Sequence, residues 1–294
     1  MVLSESKTGR VGAVSAMNML DLIKTGGDGF KDLIWETFPG EKWVEVFLAD
    51  THHGFTHGDQ VRAAGRKLLE NLTVSEEEAL SKELSGASGG DELNWAVVIV
   101  SISSVFHDCG RFDDQGIFNI KEQKFHHVVS ARRAKHFCDF LNMSPVFPLV
   151  EEAILCHDFQ SREMTPYLDT PSTIVGKIVQ SADQMGWFHP DSLSRTLDYN
   201  VVLGNPFFDE KLSLDDRLKW TPGENSKDAL TVMLKQLFGP TGIDRFGIEY
   251  ARKKVHRYKE ELERNILKVA GQYNQAAEAR ELSVRFREME RGRI

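Results

Sequence analysis

Hydrophobic positions recur every three to four residues along most of the chain, and strict alternation of apolar and polar residues is almost absent. This spacing predicts short helices over 16–23 and 30–38, and either a short helix or an extended run over 43–48. Apolar residues from Val61 to Leu72 predict a further helix, and Ser75, followed by three glutamates, predicts a capped helix start. The chain is therefore predicted to be all-α.

The most apolar segment ends directly at a histidine and an aspartate. Residues 93–106 are apolar nearly all round, which predicts a buried helix, and His107-Asp108 follow it. Three more helices are predicted over 125–141, 150–156 and 174–185. Each of these helices contains or delivers another histidine or aspartate, namely His126 with His127, His157, and Asp183.

The last hundred residues change in character. Residues 187–243 read as irregular and rich in aromatic residues and proline, which is typical of a segment that covers a site, although local packing explains such aromatics equally well. From Asp244 onwards, apolar residues between Val255 and Ala276 at steps of three and four predict one long amphipathic helix. Two interpretations of this helix stay open, packing on its own domain or forming a homodimer.

Composition narrows the class of partner. A chain of 294 residues with 41% hydrophobic and 27% charged residues is ordinary for a soluble globular protein. A net charge of −8 argues against general nucleic-acid binding. The negative net charge does not exclude a small phosphorylated substrate, because bound metal ions can locally outweigh the overall charge.

The cysteines and the apolar runs predict a cytoplasmic protein. Three cysteines (Cys109, Cys138 and Cys156) without CxxC spacing indicate a reducing compartment and no disulfide framework. The first residues show no basic region followed by an apolar one, so no signal peptide is predicted. The apolar run 95–102 is too short to cross a bilayer, so no membrane partner is expected.

Histidine distribution is the unusual feature, since nine of the ten histidines lie between positions 52 and 189. Six candidate metal ligands sit at or near the ends of predicted helices, and they are His57, His107, Asp108, His126, His157 and Asp183. Helical proteins build metal sites from ionisable residues that converge from several helices. The sequence therefore predicts a metal site.

The order H…HD…H…H…D resembles the binuclear subgroup of the HD-domain superfamily of metal-dependent phosphohydrolases, over roughly residues 50–190. Residues 104–111 resemble the apolar-x-HDxG-K/R signature, and 174–183 resemble the family's closing helix. Residues 126–131 resemble its HxxxSA segment, which favours His126 over His127 as the ligand. The step from His57 to His107 is longer than in the minimal family pattern, because of an apparent insertion over 75–90.

The resemblance implies an HD-domain helical bundle with an N-terminal helical arm (1–48), a metal-binding core (49–190), and a cover with a C-terminal helix (191–294). It also implies two divalent transition-metal ions, for which Fe, Mn, Zn, Ni and Co all suit the donors, with Asp108 as the bridging carboxylate. The implied reaction is attack of metal-bound hydroxide on a small phosphomonoester or phosphodiester, with nucleotide-like substrates as the broad expectation.

Residues around the ligands supply candidate catalytic and substrate-binding groups. His53 lies four residues before His57, and residues 52–57 partly resemble the cyclic-nucleotide phosphodiesterase motif YHNxxH, with His52 for Tyr and Gly54 for Asn. That resemblance implies that His53 protonates the leaving oxygen, so His53 and Asp108 are the catalytic candidates. Arg111, at the family's Lys/Arg position, is a candidate phosphate ligand, with a plain salt bridge as the alternative. Arg133 and Lys177 are further candidates.

Two other functions share this ligand order. Mixed-valent di-iron oxygenases of the HD type, similar to myo-inositol oxygenase, use the same His and Asp donors to activate dioxygen. A non-catalytic HD scaffold for signalling is the third hypothesis, although such domains tend to lose ligands and none is lost here. The ligands alone do not separate hydrolase from oxygenase.

Overall fold

The structure is a computed structural model that describes residues 16–50, 53–85, 92–118, 125–157, 171–189, 192–202, 204–219, 228–238 and 246–290. Within these ranges the chain forms α-helices, two short 3-10 turns and a single isolated β-bridge between Phe112 and Phe118. The helices are α1 (Ala16–Thr25), α2 (Gly27–Thr37), α3 (Lys42–Ala49), α4 (Phe55–Leu69), α5 (Val74–Leu84), α6 (Glu92–Phe106), α7 (His126–Phe140), α8 (Phe147–Leu155), α9 (Ile174–Phe188), α10 (Ser192–Val202), α11 (Leu214–Lys219), α12 (Ala229–Phe238), α13 (Glu249–Gln272) and α14 (Ala276–Glu290). The all-α prediction is confirmed.

Helix α6 is the central element of the fold. Every residue from Val98 to Phe106 is buried, because α4, α8 and α9 pack around it, with α1, α5 and α7 also in contact. The stretch Glu92–Arg111 is longer than the apolar run considered in the sequence, and by length and composition alone it would cross a membrane. Most of it is buried inside the fold, which is typical of the core helix of a globular protein.

Two glycines let α4 lie very close to α6. A Cβ atom at Gly58 would lie 2.8 Å from both Cα and O of Val105, and one at Gly65 would lie 2.7 Å from Cγ1 of Val100. The two glycines are seven positions apart in the sequence, so they share one face of α4. The close approach brings the rings of His57 and His107 to a centroid distance of 5.2 Å.

Gly58→Ala is expected to lower the free energy of unfolding by about 1–3 kcal/mol, because the new methyl group meets backbone atoms that cannot move aside. Chemical denaturation measures the change. Gly271→Ala in α13 is the matched control, since its Cβ would meet nothing within 4 Å, and it is expected to stabilise by at most about 1 kcal/mol. Equal effects of the two substitutions would contradict the close α4–α6 contact.

The N-terminal helices belong to the same core as the rest. Helix α1 packs on α6, and α2 packs on α7. The guanidinium groups of Arg62 and Arg66 both donate to the carbonyl oxygen of Lys24, at 2.8 and 3.1 Å, which ties the end of α1 to α4. Residues 1–15 of the predicted arm lie outside the described residues.

The start of α5 corrects one prediction, since the capping residue is Thr73 and not Ser75. The Thr73 hydroxyl accepts a hydrogen bond from the Glu76 amide, and the Glu76 carboxylate accepts one from the Thr73 amide at 2.8 Å. This reciprocal pair is a capping box. The same carboxylate also accepts from the Glu249 amide at 3.0 Å and so connects α5 to the start of α13.

The interpretation of 187–243 as irregular is wrong, because α10, α11 and α12 lie within it. Apolar residues of α12 such as Leu230 and Leu234 are buried where it packs on α13 and α14. Pro206 lies between α10 and α11, where a proline interrupts neither helix. The ring of Phe207 stacks on Tyr273 at 4.2 Å, which is local packing, whereas Trp220 lies outside the described residues. That this segment covers the site stays a prediction.

The long C-terminal helix is in fact two helices, α13 and α14, that pack on each other. The chain turns at Asn274, whose φ of +59° is left-handed, and the amide of Gln275 donates to the carbonyl oxygen of Ala270 at 2.8 Å. The periodicity concealed the break, because Tyr273 and Ala276 keep the three-residue step across it. Helix α13 packs on α9 and α12 of its own chain. Homodimerisation through this region stays a prediction.

Candidate metal centre

Five helices bring the six predicted ligands to one place. His57 lies in the first turn of α4, His107-Asp108 follow α6, and His126 is the first residue of α7. His157 follows the end of α8, and Asp183 lies within α9. All six side chains are buried. Three other histidines, His136, His189 and His256, are exposed.

The first group of donors consists of His57, His107 and Asp183. Oδ1 of Asp183 lies 3.3 Å from Nε2 of His57 and 3.6 Å from Nε2 of His107. These three atoms lie close enough together to hold one metal ion.

The second group consists of His126, His157 and one oxygen of Asp108. The two Nε2 atoms of His126 and His157 are 3.2 Å apart. Oδ1 of Asp108 lies 3.3 Å from Nε2 of His126 and 3.5 Å from Nε2 of His157. These three mutual distances describe a second cluster of donors beside the first.

Asp108 lies between the two groups, and its two oxygens point to different partners. Oδ1 faces His126 and His157, whereas Oδ2 lies 3.7 Å from Nε2 of His107. A carboxylate with one oxygen toward each donor group is suited to bridge two metal ions.

Backbone hydrogen bonds fix the orientation of two ligand histidines. Nδ1 of His107 lies 2.6 Å from the carbonyl oxygen of Ser104, and Nδ1 of His157 lies 2.6 Å from that of Ile154. A carbonyl oxygen only accepts, so Nδ1 carries the hydrogen in both rings. When the ring is neutral, each Nε2 therefore directs its lone pair into the cluster, which is how histidine ligands are commonly oriented.

The residues present fit a divalent transition metal. Among the described residues, the buried Nε2 of His107 has no hydrogen-bond partner, and a buried polar atom in that state requires an explanation. A metal ion about 2.0–2.1 Å from tetrahedral nitrogen donors separates those donors by about 3.3–3.4 Å. The observed separations of 3.2–3.6 Å within each group match that spacing. Imidazole and carboxylate donors together suit Fe, Mn, Zn, Ni or Co.

The carboxylates set the charge of the cluster. Burial disfavours their ionisation, but Arg111 and His107 outweigh it, and the pKa of Asp108 lies well below its usual range. The pKa of Asp183 is likewise lowered, mainly by His107. Burial also opposes a charge on His107, yet Asp108 and Asp183 raise its pKa to about 9. Burial lowers the pKa of His57 and of His126.

We expect metal-free protein to lose stability as the pH rises from about 6.5 to about 9. His107 has a raised pKa in the folded state, so its contribution is present below 6.5, its ordinary value, and is lost on approach to 9. The lowered carboxylate pKa values act only in acid, below this window. Bound metal requires neutral His107, so metal should stabilise more strongly as the pH rises. Melting temperatures of chelated and metal-loaded protein over this range test both trends, and a metal-free protein that gains stability would contradict them.

The two motif segments around His107 and His126 contact each other through a glycine. The Gly110 amide donates to the Ser130 hydroxyl at 2.8 Å. A Cβ atom at Gly110 would lie 2.0 Å from the carbonyl oxygen of His126, so no other residue fits there without displacing α7. Gly110 of the HDxG pattern and Ser130 of the HxxxSA pattern thus hold His126 opposite Asp108.

His53 and Arg111 both contact Asp108, and these contacts direct the two side chains toward the cluster. Nδ1 of His53 lies 3.3 Å from Oδ2 of Asp108, and Nε of Arg111 lies 2.8 Å from Oδ1. Asp50, which the sequence analysis did not single out, accepts hydrogen bonds from the amides of His53 and Gly54 at 2.7 and 3.0 Å. An aspartate shortly before a helix start is the signal that could have found it.

Arg133, a substrate-binding candidate from the sequence, makes structural contacts within the protein, and its role in substrate binding stays a prediction. Its buried guanidinium donates to the carbonyl oxygens of Cys109 and Phe112 at 2.6 and 3.0 Å and lies 4.0 Å from the Trp43 ring. Those contacts engage the guanidinium with the protein itself. Arg133 therefore holds the turn after His107-Asp108 in place.

Lys177, the other substrate-binding candidate on a helix, has contacts away from the cluster. Its aliphatic carbons pack against Gly247, where a Cβ would lie 2.6 Å away, and Glu83 interacts with its charge. Lys177 precedes Asp183 by six residues, so it lies about 9 Å along α9 and about 120° around it from Asp183. Its aliphatic part therefore packs where α9 meets neighbouring elements, and a role of Lys177 in substrate binding stays a prediction.

Two glutamines on α9, neither of them predicted from the sequence, contact the segments that contain His157 and Asp183. The amide of Gln184 lies 3.3 Å from Oδ2 of Asp183 and 3.4 Å from the carbonyl oxygen of His157. One turn earlier, Gln180 donates to the carbonyl oxygen of Cys156 at 2.6 Å. Their i,i+4 spacing beside Asp183 was the available signal.

The fold and the site define an all-α protein with a buried His/Asp centre suited to metal ions, as the resemblance to the HD-domain superfamily implies. No family model matches the sequence, and no curated protein matches it significantly. The chain is similar to the crystal structure of an HD-superfamily hydrolase from Bacillus thuringiensis, at 15% identity and a TM-score of 0.46, over 88% of this chain and 99% of that chain. A similarity of this degree carries no information on substrate or reaction.

Proposed function

We propose that the protein is a metal-dependent hydrolase of the HD type that cleaves a small phosphomonoester or phosphodiester, with a nucleotide-like substrate. One observation carries the proposal. Asp108 lies between two histidine groups, with a histidine against one of its oxygens and an arginine against the other. This combination of metal donors, a candidate proton donor and a cation suits the hydrolysis of a phosphate ester.

The residues that would hold metal ions fall into the two donor groups described above. His57, His107 and Asp183 would hold one ion, His126 and His157 a second, and Asp108 would contact both. Divalent ions at such a centre polarise a phosphoryl oxygen and activate water at neutral pH.

Arg111 supplies fixed positive charge at the edge of the cluster. Its side chain is 14% exposed, and its Nε pairs with Asp108. A planar guanidinium suits the oxygens of a phosphate group better than an ammonium does. This supports a substrate that carries a phosphate group.

His53 is the partly exposed imidazole of the site, with 34% of its side chain accessible. Asp108 is ionised and can only accept, so the hydrogen between them belongs to Nδ1 of His53. Nε2 lies on the other side of the ring. When the ring carries a hydrogen on both nitrogens, Nε2 is the atom that would give its proton to the leaving oxygen, while Nδ1 keeps the hydrogen shared with Asp108.

A panel of phosphomonoesters, phosphodiesters and nucleotides, assayed with metal-loaded protein, tests the proposal. We expect turnover of at least one phosphate ester. Absence of turnover with metal bound would contradict it. Oxygen consumption by iron-loaded protein would instead favour the di-iron oxygenase, and neither activity would favour the non-catalytic scaffold.

Arg111→Gln is expected to reduce kcat/KM for the identified ester by about 10–100-fold, largely through a higher KM, because a group that contacts both phosphate and a ligand carboxylate is lost. Arg132→Gln, on the exposed side of α7, is the matched control and should stay near wild type. Equal kinetics for the two variants would exclude Arg111 from substrate binding.

A further inference from the structure

A short, internally bonded turn follows the His107-Asp108 pair. Phe112 and Phe118 pair as an antiparallel bridge, and the Asp113 amide donates to the carbonyl oxygen of Ile117 at 3.0 Å. The Asp113 carboxylate accepts from the amides of Gln115 and Ile117 at 2.9 and 2.8 Å. These bonds fix the conformation of residues 112–118, which we call the Phe118 turn.

The Phe118 turn is also anchored to the body of the protein. Phe112 is buried, with its ring 6.2 Å from that of Phe47 in α3. Arg133 donates to the carbonyl oxygen of Phe112. At the tip, Gly116 has a left-handed φ of +77°, and a Cβ there would lie 2.7 Å from Cγ2 of Val46. One end and the tip of the turn are therefore held against fixed elements.

The anchored turn delivers one aromatic ring onto His53. The rings of Phe118 and His53 stack at a centroid distance of 5.4 Å with an interplanar angle of 21°. On its edge, the same imidazole bonds through Nδ1 to Asp108 at 3.3 Å. Asp50 fixes the backbone of His53 through its amide. A partly exposed side chain that would otherwise rotate freely is thus restrained from three sides.

We propose that Phe118 is a positioning residue, which holds the His53 ring with Nδ1 toward Asp108 and Nε2 toward the leaving oxygen of the substrate. The proposal rests on the proposed role of His53 as proton donor. The physical basis is orientation, because a proton donor misplaced by about 1 Å can lose on the order of 10²-fold in rate. Phe118 itself does not contact the reacting atoms.

The effect of Phe118→Leu on kcat for esters with different leaving groups distinguishes a positioning role of Phe118 from a merely structural one. Phe118→Leu should lower kcat by about 10–100-fold for an alkyl phosphate ester, whose leaving oxygen needs a proton, with KM little changed. For a p-nitrophenyl ester, which departs as a stable anion, the loss should be within about 3-fold. Phe118→Tyr keeps the stacked ring and should restore both rates. Phe140→Leu, an exposed phenylalanine at the far end of α7, is the matched control.

A second measurement does not depend on activity. NMR spectra of histidine-labelled, chelated protein should show His53 signals shifted by the Phe118 ring, with the assignment made through His53→Gln. Phe118→Leu should remove that shift and Phe118→Tyr should keep it. The melting temperature of each variant reports whether it is folded.

The outcomes distinguish the two proposals. Unchanged His53 signals in Phe118→Leu, or an equal loss of kcat for both esters, would overturn the role of Phe118. If wild-type protein hydrolyses no phosphate ester, the proposed function fails. The NMR result is independent of activity, so His53 signals that do not respond to Phe118→Leu would still refute the stacking of Phe118 on His53.

Discussion

Asp108→Asn is expected to reduce kcat/KM for a phosphate ester by on the order of 10³-fold and to lower the metal content of the protein. The substitution keeps the shape of the side chain but removes the charge that both donor groups share. Four histidines and Arg111 surround this carboxylate, so its loss leaves several cationic or metal-binding groups without their counter-charge.

Steady-state kinetics and elemental analysis of the purified variant measure the two effects. Asp139→Asn is the matched control, since Asp139 is exposed on α7 and pairs with Lys135 at 2.6 Å. A variant of Asp108 that keeps wild-type kinetics and metal content would remove this residue from the centre.

His57→Gln and His126→Gln are expected to lose different metal ions. His57 belongs to the donor group with His107 and Asp183, whereas His126 belongs to the group with His157. Each variant should therefore retain the ion of the other group, so that the metal content falls from two ions per chain to one. Both should lose at least about 100-fold in kcat/KM, because a two-metal centre stabilises the attacking and leaving oxygens together.

Elemental analysis alongside activity tests this division, with His256→Gln on the exposed face of α13 as control. Loss of all metal in both variants would show a single interdependent site. Full retention in either would show that its histidine is not a ligand.

The position of the six clustered His and Asp residues at helix ends could be predicted because it depends on local sequence. A helix and its end are encoded within a few residues, and a histidine or aspartate placed at that end moves with it. The run of apolar residues before His107-Asp108 and the closing helix before Asp183 located their elements correctly. The resemblance then supplied the expectation that these ends meet.

The roles of the cations could not be predicted in the same way. Arg111, Arg133 and Lys177 are similar side chains near the motifs, and only their long-range partners separate them. Arg133 meets carbonyl oxygens some 20 residues earlier, and Lys177 meets Gly247 some 70 residues later. Such contacts arise from the packing of distant elements, for which a sequence carries no local signal.

The break between α13 and α14 was hidden for a related reason. Apolar spacing reports which face of a helix is buried, and that spacing continues through Tyr273 and Ala276 although the chain turns at Asn274. An asparagine in the left-handed conformation ends a helix without the glycine or proline that usually marks the end. The placement of Phe118 against His53 likewise depends on a turn too short to show periodicity.

The metal content of wild-type protein, purified without chelators and loaded with a divalent transition metal, is the most direct test of the centre. Elemental analysis, with anomalous diffraction to locate the ions, should find two per chain, on either side of Asp108, bound by His57, His107, His126, His157 and Asp183. Protein that binds no metal, or binds it away from Asp108, would contradict the assignment of this cluster as a metal centre.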